Sequence, residues 1–262
     1  MHRRIITLTT DFGYSDPYVG IMKGVILAIN PEARIIDITH GVRPYSIIHG
    51  AYVLLASYKW FPRGSIHVVV VDPGVGTGRR ALIIKTRNYL FVGPDNGVLS
   101  WAAREDGVAE IIDASLSEFR LPNPSHTFHG RDVFAPIAAW LSLGFKPKDL
   151  GEPIGSMVTL RPPRCEASGN TIKTDVIVVD GFGNLILGCR GSMGLKPGMK
   201  VLVSAGGRVF QASFTLRFAD VPPGQILVHV NSLGFLEVSV NMGNASVTTG
   251  LKEGDEVWLK RS

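Results

Sequence analysis

The run Ile66-His67-Val68-Val69-Val70-Val71 constrains this chain more than any other stretch. It is β-branched, almost wholly apolar and of strand length, without the alternation of a half-buried strand. Such a run predicts a central strand covered on both faces, which requires helices on both sides of a sheet. The flanking sequence agrees. Residues 4–10 and 34–39 read as further strands. Residues 18–30 and 46–60 read as amphipathic helices, the first capped by Ser15 or Asp16 with Pro17 in its first turn. Residues 81–86 and 89–92 read as paired strands around Arg87-Asn88, and 96–104 and 130–143 as helices. This order predicts a layered α/β N-terminal domain with a largely parallel sheet over residues 1–155.

The pattern then changes. Pro153, Pro162 and Pro163 interrupt a stretch with little periodicity, and a linker is expected over 156–172. Short alternating strands follow at 174–180, 200–204, 208–217, 225–230, 235–240 and 256–260, split by glycine turns. No long helix fits, so 173–262 is expected to form an all-β C-terminal domain, a small barrel or sandwich.

Composition excludes several classes of function. A net charge of +5 and a pI near 9.3 raise the question of nucleic acid. The Lys and Arg residues are scattered, with no run longer than two, so a solvated basic surface is expected and no nucleic-acid partner. The apolar run near the N-terminus breaks at Thr7 and reaches a charge at Asp11. No stretch has the length of a membrane span. A cytoplasmic protein without a membrane partner is the expectation. Cys165 and Cys189 are the only cysteines, at a spacing that fits no metal or redox motif. In a reducing compartment they are expected to be unbridged.

In an open α/β sheet, ligands bind at the carboxyl ends of the strands. Three segments fall there: Thr9-Thr10-Asp11-Phe12-Gly13, the run from Asp72 through Gly74, Gly76 and Gly78 to Arg79-Arg80, and Gly93-Pro94-Asp95-Asn96-Gly97. The Asp72 segment reads either as a tight turn capped by its carboxylate or as a loop whose backbone approaches a ligand. No Lys-Ser/Thr follows it, so it is no Walker loop, and its spacing is not the dinucleotide fingerprint. Asp11-Phe12-Gly13 lacks the partners of the kinase tripeptide. His126 and His129 lie where the helix at 130–143 opens. A histidine there should be kept neutral by the helix dipole and can accept or relay a proton, or it serves only as a cap. No third ligand has metal spacing, and no metal is expected. In the second half, Asp180-Gly181-Phe182-Gly183-Asn184, Asn231-Ser232 and Glu237 flank strands, where turn chemistry explains each equally well.

Taken in order, TTDFG, VDPGVGTGRR, VGPDNG, FHGRD, DGFGN and NSLGFLEVSVNMGNA span nearly the whole chain. This set resembles the S-adenosylmethionine (SAM) hydrolases, also called SAM hydroxide adenosyltransferases, which are related to fluorinase and chlorinase. The resemblance implies an α/β domain followed by a β-barrel, in a homotrimer whose sites lie between one subunit's N-terminal domain and its neighbour's C-terminal domain. It implies cleavage of SAM to adenosine and L-methionine, with no cofactor, by a catalytic trio matching Asp72, Arg79 and His129. Arg80 is the adjacent alternative for the arginine. Asp11 is implied as the ribose ligand, and Phe182 and Asn184 as contacts of the adenine or methionine end. Asp180 and Ser232 are implied at the amino-acid group, with Glu237 and the backbone at Met242 against the ligand. The halogenating relatives lack the trio and carry an extra loop, so water is expected as nucleophile. A halogenase on the same substrate and a non-catalytic adenosine- or SAM-binding module are the alternatives.

Overall fold

The computed structural model describes residues 4–261, which divide into two compact units, at Leu160/Arg161. In the first unit the order is β1 (Ile5–Thr10), α1 (Tyr18–Ile29), β2 (Arg34–Thr39), α2 (Ile47–Ser57), β3 (Ile66–Val70), β4 (Ala81–Thr86), β5 (Leu90–Pro94), α3 (Ser100–Asp106), β6 (Val108–Asp113), α4 (Ala135–Ser142) and β7 (Glu152–Pro153). The sheet runs β2-β1-β3-β5-β4-β6-β7. Its β2-β1-β3-β5 half is parallel, and antiparallel β4, β6 and β7 extend it.

β3 is buried along its whole length, as its composition predicts. Ile66, Val68 and Val70 join Ile6 and Leu8 of β1 under Met22 and Ile26 of α1 and Phe134, Ile137 and Ala138 at α4. Their neighbours on the opposite face, Thr7, Thr9, His67 and Val69, are buried as well. Two local expectations are corrected. The helix α1 is entered through Pro17, with no side-chain cap from Ser15 or Asp16, because proline's fixed φ already suits a helix start. The helix at 130–143 opens with one π-helical turn, Gly130–Phe134.

His67 is fully buried among Tyr58, Phe61, Tyr89 and Phe91, with Nδ1 2.8 Å from Thr7 Oγ1. Burial pushes its pKa down to about 3. The folded chain therefore refuses a proton that the unfolded chain accepts near pH 6.5. Stability is fully present above that value and is lost as pH falls toward 3, by about 1.4 kcal/mol per pH unit. His67→Gln, which keeps a partner for Thr7 and does not titrate, is expected to flatten the pH dependence of unfolding between pH 6 and 4 by about one proton. Denaturant titrations across that range check this, and equal slopes would contradict it.

The second unit contains β8 (Cys165–Ser168), β9 (Thr171–Val179), β10 (Leu185–Arg190), β11 (Lys200–Ala205), β12 (Arg208–Phe214), β13 (Ile226–Val230), β14 (Phe235–Val240), the short α5 (Ala245–Thr249) and β15 (Glu256–Arg261). The order β10-β14-β13-β12-β11-β15-β9 closes through β9–β10 pairing into a barrel of seven strands. Its interior is filled by Val176, Leu187, Val203, Val228, Leu236, Val238 and Leu259 among others.

β8 lies within the stretch expected as linker. It and β10 take successive lengths of the same edge of β9, while β15 takes the other edge. That arrangement brings Cys165 to Cys189, with Cα atoms 4.9 Å apart, and they form a disulfide. The expectation of unbridged thiols is thus corrected: the contact depends on a strand pairing that cysteine spacing does not encode. Among the described residues no helix is long and apolar enough to cross a membrane.

Candidate active site

β3 delivers Asp72 to the carboxyl edge of the sheet, and the glycine-rich loop returns Arg79 onto it. Arg79 Nε donates to both Asp72 oxygens at 3.0 Å, and Nη2 donates to Oδ2. Both side chains are nearly buried, 9% and 5% exposed, and the guanidinium lies 5.3 Å from the Phe134 ring centre. Nη2 also stands 2.7 Å from His129 Nδ1. A guanidinium can only donate, so Nδ1 accepts and the ring proton sits on Nε2. Burial, and then the Arg79 charge, hold the His129 pKa below its usual value against the pull of Asp72 and Asp132. His129 is therefore neutral at neutral pH and fixed in one tautomer.

One glycine of this loop, Gly76, is required by packing between loops. Gly76 has φ +78°, and a Cβ there would sit 2.3 Å from the His126 carbonyl oxygen. The loop after β3 thus rests directly on the segment carrying His129. That segment is pinned by buried Asp132, whose Oδ2 accepts the Ser125 N–H at 2.8 Å. Arg80 points elsewhere: its Nε donates to Asp95 at 2.8 Å and Nη2 to the Ser156 carbonyl at 3.1 Å. Asp95 also accepts the Val158 N–H at 2.7 Å. The geometry thus brings Arg79 to Asp72, and binds Arg80 and the 93–97 segment to each other and to the chain beyond β7.

Beside the trio lies a cavity of about 560 Å³ lined by Asp11, Phe12, Tyr45, Asp72, Phe128 and His129 among others. Asp11 accepts the Tyr45 N–H at 2.8 Å. Burial raises the Asp11 pKa, the Tyr45 N–H opposes this, and the Asp72 charge adds to it. Two carboxylates facing one cavity, only one of them paired with an arginine, favour a cationic guest. Phe12, Tyr18 and Phe128 meet edge to face or tilted at 5.2–5.8 Å and form an apolar wall. Tyr18, Tyr45 and Phe128 were not singled out from the sequence. Phe128 sits inside the FHGRD motif and could have been. Tyr45, with φ 66° and 75% exposed, carries no sequence signal.

In the second unit the remaining candidates separate. Asp180 accepts the N–H groups of Phe182 and Asn184 and the Asn184 side-chain amide, each at 2.9 Å, so its carboxylate organises its own turn. That turn packs on α5: Gly183 has φ +85°, and a Cβ there would overlap the Asn244 side chain. Phe182, Asn184 and Met242 line one open depression with Phe218, Val240 and Asn244. Phe182 is 81% exposed and Met242 86%. Glu237 is buried and occupied by His229 at 3.0 Å, Asn231 at 2.8 Å and Ser239 at 2.8 Å. These bonds outweigh its burial and hold its pKa below the usual range. His229 in turn packs on Phe218 at 4.8 Å, so Glu237 supports the depression from behind. Ser232 lies exposed in the β13–β14 turn, outside the residues lining it. Among the described residues no group of three His, Cys, Asp or Glu is arranged to hold a metal.

An α/β unit with an Asp-Arg-His cluster at its strand ends, followed by a closed seven-stranded barrel, defines a two-domain class with a cavity of small-molecule size. Residues 6–151 match the SAM hydroxide adenosyltransferase N-terminal domain and residues 174–258 its C-terminal domain. The chain belongs to the SAM hydroxide adenosyltransferase family. It is 39% identical to the (R)-S-adenosyl-L-methionine hydrolase of Salinispora arenicola, over 96% of each chain. It is more distantly similar, at 24% identity over 99% of this chain and 98% of the other, to the fluorinase of Actinopolyspora mzabensis. Its fold superposes on the crystal structure of an uncharacterized conserved protein from Thermotoga maritima with a TM-score of 0.93 and 41% identity, covering 98% of this chain and all of the other.

Proposed function

We propose that this chain hydrolyses S-adenosyl-L-methionine to adenosine and L-methionine, with preference for the (R)-sulfonium epimer. The observation that carries the proposal is the Asp72–Arg79–His129 cluster, held beside a cavity with a second carboxylate. The hydrolase relative supports the substrate and the epimer.

The sulfonium is already a good leaving group, so the reaction as proposed draws on no metal or cofactor. Its requirement is a water in line with the bond from sulfur to the 5′ carbon. Asp72 accepts a hydrogen bond from that water and takes its proton as the carbon–oxygen bond forms and the carbon–sulfur bond breaks. The electron pair leaves with methionine sulfur, and the proton passes on to solvent. Arg79 fixes the carboxylate in place. His129, with its proton on Nε2, acts as a donor that orients the oxygen rather than as the base. Asp11 holds the ribose hydroxyls. Fixing reactants in this way contributes roughly 7–11 kcal/mol in the best cases.

Phe182, Asn184 and Met242 are read as the surface that covers the adenine or methionine end, contributed by a neighbouring subunit of a homotrimer. Two large apolar side chains left exposed around a depression support this reading. Asp180 and Glu237 then act by shaping that surface, through the 180–184 turn and through Phe218. The protein is placed in the cytoplasm, and the Cys165–Cys189 bond is compatible with that placement, as disulfides persist in intracellular proteins of hyperthermophiles.

The test is to incubate the protein separately with each sulfonium epimer, with and without added fluoride or chloride, and to follow products by chromatography. Adenosine is expected in every case, faster from the (R) epimer. No adenosine from either, or 5′-halo-adenosine when halide is present, would overturn the reading.

A further inference from the structure

The turn that carries Asp11 is backed by a buried polar chain outside the cavity lining. His40 is 1% exposed. Its Nδ1 lies 2.8 Å from Thr10 Oγ1, and its Nε2 lies 3.1 Å from Asp37 Oδ1. Asp37 also receives Lys23 Nζ at 2.6 Å and the Tyr14 hydroxyl at 3.1 Å. On the other side, Thr10 Oγ1 accepts the Phe12 N–H at 3.2 Å. His40 Nε2 and Asp37 Oδ1 are close enough for an ion pair but lack hydrogen-bond alignment. A proton on Nε2, facing the carboxylate charge, leaves Nδ1 to accept the Thr10 hydroxyl proton.

Asp37, His40 and Thr10 thus repeat the acid–imidazole–hydroxyl order of a hydrolase triad. Thr10 is wholly buried, however, and its oxygen is engaged by a backbone N–H, so it attacks nothing. What the chain controls is the conformation of the turn between Thr10 and Gly13. Two further bonds tie that turn to the loop after β2: Gly13 N–H to the His40 carbonyl at 2.8 Å and Val42 N–H to the Thr10 carbonyl at 3.3 Å. That same loop supplies the Tyr45 N–H to Asp11. We propose that Asp37, His40 and Thr10 are positioning residues, a relay that fixes the Asp11 turn and so sets how tightly substrate is held. The substrate part rests on reading Asp11 as a substrate-binding group.

The experiment compares Thr10→Val, which removes the hydroxyl at nearly constant shape, with Thr10→Ser, which keeps it. Thr10→Val is expected to raise KM for SAM about tenfold with kcat within about twofold, and Thr10→Ser to restore KM. Amide hydrogen exchange at Phe12 and Gly13 should quicken about tenfold in Thr10→Val, while β3 is unchanged. If Thr10→Val does not fold, Asp37→Asn, at the partly exposed end of the relay, is read the same way. A lowered melting temperature with KM and local exchange both unchanged would reduce the relay to ordinary core polarity and overturn the proposal. Asp11→Asn, assayed alongside, separates the two claims. If it leaves KM unchanged, Asp11 is not a binding group and the substrate part of the proposal falls with that reading. The exchange data then decide the positioning part by themselves.

Discussion

Asp72→Ala is expected to lower kcat for SAM cleavage by about a hundred- to ten-thousandfold, with KM changed only a few-fold. The reason lies in what the carboxylate holds. It ends the most buried strand of the sheet and receives Arg79 Nε on both oxygens at 3.0 Å. Removing it deletes the acceptor for water and frees a nearly buried guanidinium that also orients His129. Asp72→Asn separates these effects. It preserves the shape of the side chain and one acceptor oxygen but cannot take a proton. If proton acceptance dominates, Asn is nearly as damaging as Ala; if only the placement of Arg79 matters, Asn retains most of the activity. Steady-state kinetics on both variants decide, and kcat within about threefold of the unaltered protein for both would remove Asp72 from the chemistry.

Gly76→Ala is expected to lower both stability and turnover without touching a reacting group. The backbone at Gly76 has φ +78°, and a Cβ would be 2.3 Å from the His126 carbonyl oxygen. The obstacle is main chain, so relief requires the loop after β3 or the His129 segment to shift. Strain of this kind costs about 1–3 kcal/mol, which lowers the melting temperature by about 2–12 °C. The displaced Arg79–His129 contact should cut kcat at least tenfold. Gly78→Ala is the matched control, because a Cβ there meets nothing within 4 Å. Thermal melts and kinetics on the pair test the claim. Equal behaviour of the two variants would mean that loop contact has no bearing on the site.

How much of this was legible in the sequence depended on whether a feature is written in local chemistry. Burial on both faces leaves an apolar run, broken in β3 only by His67, and β3 is readable for that reason. Half-buried barrel strands such as β11 announce themselves by alternation and by position between glycine turns. β6 was missed because only Ile112 in it is fully buried, so no apolar pattern marks it. β10 was missed because Gly188 interrupts its apolar run. The Cys165–Cys189 bond follows from two strands sharing one edge of β9, a tertiary fact. At the site, the motif order allowed Asp72, Arg79 and His129 to be grouped, and the structure brings them within hydrogen-bond reach. It could not reveal that Arg79 fixes the His129 tautomer, or that Asp180 and Glu237 spend their carboxylates on their own surroundings. Those properties depend on which polar atoms remain unoccupied, and that is decided by tertiary packing.

The central claim, that a water held by Asp72 attacks the 5′ carbon, is tested most directly by running the reaction in heavy-oxygen water. Adenosine is expected to carry the heavy oxygen at its 5′ hydroxyl and methionine to carry none. Unlabelled adenosine, or label in methionine instead, would contradict it.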